Sequence, residues 1–422
     1  MTKPVSRNIA WIFSGNSLYA ASQWCIVILL GRLGGVEAVG HYALGLAIST
    51  PLMLFSNLGL RQVQVTDSKD QYRFVDYLWV RILTTLVALF VIIVIVLLLD
   101  YETDLKEVIL LVTLTKCIES LSDIYYGLEQ HHERLDLISQ SLILRGLLGL
   151  FALGAIYYIT SSLVLALAGL FASWTIVFLF FDVRVCTTWT KCYGEKYSLL
   201  FNNAPHRGLL SLANLTLPLG IAVLLNSLTI NIPRYFIQHH LGSAALGIFA
   251  AMSYLIQAMN IMVNAVGQAA SPRLARYYAE KRLHPFSMIL LRMLIGGAII
   301  GVLGILLAIQ FGKVILITIY GPSFSENASI LVWIMIVGTV NNLAAFLGVG
   351  MTSMRLFRTQ LVSFIFIGLI NLLACFVLVT NHGLLGAVWA WTTSLLVQAV
   401  LAAAIVLHHL YPIPSLRRCS LE

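Results

Sequence analysis

The sequence predicts an all-α polytopic membrane protein of about twelve transmembrane helices arranged as two parallel six-helix lobes. Three observations predict it: the scarcity of charge, the recurrence of long apolar segments, and an internal repeat with a period of half the chain. Charged residues make up 10% of the 422 and hydrophobic ones 59%, whereas a soluble domain carries roughly 25% charged residues. Apolar stretches of about 20 residues recur throughout, the length a helix needs to cross ~30 Å of hydrocarbon. No window alternates with the two-residue period of an outer-membrane barrel strand.

Spans fall near 9–30, 40–60, 77–99, 108–129, 138–159, 161–182, 209–231, 243–269, 286–309, 327–350, 359–380 and 384–409. Lys3 and Arg7 precede the first, which is too long for a signal-peptide core and lacks a small-residue cleavage site, so it reads as a retained helix. Grouped by alternate ends of this map, 21 of the 26 basic residues lie on one side and four (Arg32, Lys106, Arg234, Lys313) on the other. Basic residues mark the cytoplasmic side, so both termini are expected there, in a bacterial inner membrane. The same split explains the net charge of +8 without a nucleic-acid partner. The outer loops, around 31–39, Asp100–Glu107, Thr160, 232–242, 310–326 and Asn381–Gly383, are too short to fold into an extracytoplasmic domain.

Leu33-Gly-Gly-Val-Glu-Ala-Val-Gly-His-Tyr-Ala43 follows the first span and Leu241-Gly-Ser-Ala-Ala-Leu-Gly-Ile-Phe-Ala250 the seventh. The two match with one insertion when their Leu-Gly pairs are aligned. A weaker match pairs Arg134–Gly146 with Arg355–Gly368. Six spans separate equivalent elements, so the lobes share an orientation: 1–183, then a cytoplasmic linker 184–208, then 209–422. Paired lobes suit alternating access around a midplane site.

Ionisable groups inside hydrocarbon cost ~2.5–3.5 kcal/mol or more and each needs a reason. The fourth span carries Lys116, Glu119, Ser120, Asp123, Gly127 and Gln130 on one helical face. Lys116 reaches Glu119 and Ser120 at i+3 and i+4, leaving one acid in surplus that is able to titrate. This face is either a cavity stripe that binds substrate or a coupling ion, or an ion-paired packing face. The eighth span carries Ser253, Gln257, Asn260, Asn264 and Gln268, a sugar-lined path or interhelical glue. Asn16, Tyr19 and Gln23 form a looser set in the first span. Arg81, Arg145 and Arg292 lie near cytoplasmic span ends, where they either snorkel to the interface or receive an anion. Arg32 and Arg234 stand at the outer ends of the two lead helices.

No phosphate loop, His-Glu-x-x-His, Gly-x-Ser-x-Gly or paired acidic motif in an aqueous loop is present in the sequence, so no catalytic or metal site is expected. The six cysteines show no ligand spacing. A transporter, not an enzyme, is the expectation.

Ile118-Glu-Ser-Leu-Ser-Asp-Ile-Tyr-Tyr-Gly-Leu-Glu-Gln130, followed by Glu133-Arg-Leu-Asp136, together with the 33–43 stretch and its echo at 241–250, resembles the polysaccharide-transporter family. These are the Wzx-type O-antigen and teichoic-acid flippases of the multidrug/oligosaccharidyl-lipid/polysaccharide exporter (MOP) superfamily, with a MATE-like fold. The resemblance implies movement of an undecaprenyl-pyrophosphate-linked oligosaccharide from the cytoplasmic to the periplasmic leaflet. It also implies basic groups for the pyrophosphate, with Lys116, Arg32, Arg234 and Arg145 the candidates, and a cation gradient (H+ or Na+) met by Glu119 and Asp123. No other cofactor is implied. Membrane lipid, a polysaccharide polymerase and a chain-length regulator are the candidate partners. A cation-coupled multidrug exporter and a membrane-embedded glycan polymerase or ligase are the alternative functions.

Overall fold

The computed structural model describes residues 5–67, 71–185 and 208–410, and every regular element among them is helical. The linker expected at 184–208 lies almost wholly outside the described residues, as do Lys3, Lys69, Lys191, Lys196, Arg207, Arg417 and Arg418 of the basic tally. The elements are α1 (Val5–Ser56), α2 (Leu60–Thr66), α3 (Phe74–Leu98), α4 (Thr103–His131), α5 (Leu135–Thr160) and α6 (Leu163–Val177). A π-helical turn, Phe178–Val183, extends α6. Then come α7 (Leu209–Ala279), α8 (Leu283–Tyr320), α9 (Ala328–Ser353) and α10 (Phe357–Leu410).

Eight helices among the described residues are long and apolar enough to cross a membrane. The extreme is α3, with a mean hydropathy of 2.9. The α4 helix is not among the eight, because the polar stripe dilutes its apolar run. Three of the expected outer loops (31–39, 232–242 and 381–383) are so tight that the two helices they join follow each other directly, within α1, α7 and α10. Each is interrupted at a single glycine: Gly35 (φ 69°, ψ −164°), Gly242 (φ 80°, ψ −178°) and Gly383 (φ 58°, ψ −133°). A positive φ with extended ψ is a conformation essentially restricted to glycine.

The breaks also correct the register of the repeat. Setting Gly35 on Gly242 aligns Ala38 with Ala245, Gly40 with Gly247, Tyr42 with Phe249 and Ala43 with Ala250, with no insertion. Burial follows the same register, since Tyr42, Ala43, Phe249 and Ala250 are all buried. The Leu-Gly pairs that suggested an insertion are offset by one residue because Gly34, unlike Gly35, is helical.

The chain divides into two compact units, Met1–Ser227 and Leu228–Glu422, with the boundary inside α7. In the first, α1 packs against α3, α4 and α5, and α4 also meets α2 and α6. Its core gathers Leu60, Phe74, Tyr77, Ile124, Tyr125 and Leu128. In the second, α9 packs on α8 and α10, around Phe286, Leu290, Met293, Phe346 and Met351. Tyr320 donates its hydroxyl to the Ala251 carbonyl at 2.7 Å, tying the end of α8 to α7.

Candidate functional site

A cavity of about 440 Å³ lies within the first unit, between α1, α2, α4 and α5. Apolar side chains (Ile12, Leu135, Ile138, Leu142) share its wall with Asn16, Tyr19, Arg61, Glu119, Asp123, Tyr126, Gln130 and Arg145. The α4 residues arrive there together because their spacing of 3 to 4 repeats the helical turn.

Lys116 Nζ pairs with Glu119 Oε2 at 2.6 Å, and the other oxygen of Glu119 accepts from the Tyr19 hydroxyl at 3.3 Å. One turn on, Asp123 receives two guanidiniums, Arg61 at 3.1 Å and Arg81 at 2.9 Å. The surplus acid expected on α4 is therefore not surplus: Arg61 from α2 and Arg81 from α3 supply its counter-charge. Arg61 also donates from Nε and Nη2 to Gln130 Oε1, at 3.0 and 2.8 Å. Arg81 is 0% exposed and bonds Asn57, which also accepts from Ser120. Ser120 thus sits in a buried hydroxyl network with Thr85.

A second knot forms around Arg145, 1% exposed, which pairs with Asp182 at 3.0 Å and bonds Ser122. Asp182 accepts from Ser141, which in turn lies 2.7 Å from the Tyr126 hydroxyl. The Arg145 guanidinium lies 5.1 Å from the Trp174 ring and 5.8 Å from the Tyr126 ring. Arg61 lies 5.7 Å from that same Tyr126 ring, within the ~6 Å at which a ring face attracts a cation. Tyr126 therefore gathers two guanidiniums beside one cavity. Snorkelling by Arg81 and Arg145 is overturned, since each finds its carboxylate inside the bundle and has no need of the interface. Arg292 is exposed.

Of the residues expected from sequence, the structure brings Glu119, Asp123 and Arg145 to one cavity, with Lys116 bonded to its wall. Asn16 and Tyr19 join them, and Ser120 lies just behind. Arg32 and Arg234 do not line it: Arg32 is exposed in the first unit, and Arg234, in the second, donates to Asn231 Oδ1 at 2.9 Å. On α7, Gln257 and Gln268 are exposed, while Asn260 accepts from Asn341 of α9 at 2.8 Å. The Asn264 side chain lies outside the described residues. Arg61, Tyr126 and Asp182 were not singled out from sequence. The only signal was electrostatic: buried arginines on α3 and α5 demand acids, and Asp182 is the one acid of the sixth span.

The whole chain is similar in fold to multidrug transporters of the MATE family. An inward-facing MATE transporter of the MOP superfamily superposes with a TM-score of 0.66 at 15% identity, covering 96% of each chain. An outward-facing one gives 0.60 at 13%, covering 95% of this chain and 94% of that one. A MOP superfamily transporter from Pyrococcus furiosus gives 0.57 at 14%, covering 95% and 94%. The chain thus shares the fold of these proteins. It belongs to the polysaccharide biosynthesis protein family, whose model matches residues 5–278. It is also 28% identical to the capsular polysaccharide biosynthesis protein CapF of Staphylococcus aureus, over 93% of this chain and 97% of that protein.

Proposed function

We propose that the protein is a flippase, not an enzyme, which carries undecaprenyl-pyrophosphate-linked oligosaccharide from the inner to the outer leaflet of the bacterial cytoplasmic membrane. Both termini stay cytoplasmic, and two lobes, joined through the 184–208 linker, alternate access. The observation that carries the reading is the pair of guanidiniums, Arg61 and Arg145, beside a polar cavity inside a helical unit. A pyrophosphate in hydrocarbon is prohibitively costly, and guanidinium forks match phosphate oxygens.

The bonding pattern assigns different duties to the cations. Arg61 is able to leave Asp123 for a phosphate because Asp123 keeps Arg81. Lys116 is likewise able to leave Glu119, which keeps Tyr19. Arg145, held by Asp182, Ser122 and two rings, contributes a fixed positive field. Glu119 and Asp123 are the cavity acids that restrain these cations while no anion is bound. Arg32 and Arg234 are proposed to meet the anion at the outer ends of their helices, and the exposed Gln257 and Gln268, with Asn260 and Asn264, to serve the sugar.

A cation-coupled multidrug exporter is the second reading, favoured by the MATE-like fold. It calls for a wall dominated by acids, whereas this wall carries two arginines and two acids. Deletion of the gene is expected to leave lipid-linked repeat units accumulated in the inner leaflet and to abolish the surface polysaccharide. A deletion strain with normal surface polysaccharide and no accumulated intermediate, in a genome without a paralogue, would contradict the assignment.

A further inference from the structure

Four of the acids in the first unit are matched in space by a cation. Glu119 has Lys116, Asp123 has Arg61 and Arg81, Asp136 has Arg134 at 3.1 Å, and Asp182 has Arg145. Glu129 is different. It is 1% exposed at the end of α4, and its Oε2 is the one buried carboxylate oxygen without a hydrogen-bond partner among the described residues. The charged and titratable groups that act on it come from every neighbouring element: Arg61 on α2, Tyr126 on α4, Arg134 and Asp136 at the start of α5, and Asp182 after α6. The cations among them are already engaged elsewhere, and Asp136 and Asp182 are themselves acids. An ionised carboxylate enclosed in this way has lost water, and at one of its oxygens no hydrogen bond replaces it.

We propose that Glu129 is a proton-binding site, neutral in this state of the protein, and that loss of its proton draws Arg61 off the cavity wall. In the step, the Glu129 O–H bond breaks, the proton passes to water, and the carboxylate left behind competes with Asp123 for Arg61. Arg61 then belongs to the cavity or to Glu129, but not to both, so proton binding and anion binding favour each other. Linkage makes this reciprocal. A proton needs a single carboxyl group, whereas a metal cation needs several oxygen ligands; no group of three or more His, Cys, Asp or Glu able to hold a metal ion exists among the described residues. The site differs from Glu119 and Asp123, whose charges are balanced in place. Its role in coupling rests on the transport reading above.

The test is infrared spectroscopy of the purified full chain in lipid nanodiscs, with inorganic pyrophosphate binding measured alongside. At neutral pH the wild type should show the carbonyl band of a protonated carboxyl group. Glu129→Gln should lose it, while Glu119→Gln and Asp123→Asn retain it. Pyrophosphate affinity in the wild type should fall with rising pH by up to about tenfold per unit relative to Glu129→Gln as the band disappears. No band in the wild type, a band that survives in Glu129→Gln, or superimposable pH profiles for the two proteins would overturn the proposal. Gln preserves the size and neutrality of the protonated acid, so Glu129→Gln should match the wild type in thermal unfolding. The infrared arm does not depend on transport. A protein that shows the band and flips no lipid would refute the transport reading alone.

Discussion

The two units share a backbone plan and differ in what they bury. Both carry a helix pair interrupted at a glycine with positive φ, Gly35 in one and Gly242 in the other, followed by the same buried aromatic-Ala step. In the first unit, Asp76, Arg81, Glu129, Asp136, Arg145 and Asp182 are all buried. The second buries only neutral polar groups among its described residues: Asn231, Ser253, Asn342, Ser353, Asn371, Thr392 and Ser394. It also contains just three of the chain's eighteen acids, Glu280, Glu326 and Glu422. A repeat explains the common helices. Interior charge is costly, and the proposed flippase reading puts the buried charges of the first unit to use in holding the anion-binding cavity.

The largest effect expected from this contrast is on stability. Asp182→Asn leaves Arg145 buried without its counter-ion, and breaking such a pair costs about 3–5 kcal/mol. Unfolding in detergent should show that loss, and a change below about 1 kcal/mol would mean that the knot around Arg145 is not structural. Next come the shared breaks. No atom lies within 4 Å of a Cβ added at Gly35 or Gly242, so alanine there should cost torsional strain only, about 1–3 kcal/mol, and by similar amounts in both units. A large cost in one and none in the other would break the equivalence of the repeat. Lys116→Ala removes a partly exposed pair, worth about 0–1 kcal/mol, yet is expected to abolish export with membrane insertion intact. Full export by this variant would make the Lys116–Glu119 pair packing alone. The smallest effect belongs to the second unit, where Asn341→Ala should cost only about 0.6 kcal/mol, the typical worth of an interhelical polar bond.

Much of this was legible in the sequence because its signals are local. Helical length, apolar content and the 3-to-4 spacing of Glu119, Asp123 and Gln130 are properties of single segments, and they located both the helices and the polar face of α4. Even Asn16 and Tyr19 declared themselves by spacing. Pairing across helices was not legible. Arg61 counts in sequence as one more inside cation, and only the fold of α2 against α4 brings it to Asp123. Arg145 reads as an interfacial arginine until Asp182, 37 residues away, is placed beside it. That the connections at 31–39, 232–242 and 381–383 shrink to single glycine breaks was not legible, because one residue with positive φ leaves the hydropathy profile on both sides unchanged.

On the proposed reading, the cavity of the first unit receives a lipid-borne pyrophosphate through a mobile Arg61. The direct measurement is flipping of a fluorescent lipid-linked oligosaccharide pyrophosphate in proteoliposomes, read as the fraction of probe exposed to an added glycosidase. Wild-type protein should expose the inner-leaflet probe, and Arg61→Gln should not, while both unfold at similar temperatures. Equal flipping by Arg61→Gln, or wild-type flipping of a neutral glycolipid as readily as the pyrophosphate, would contradict it.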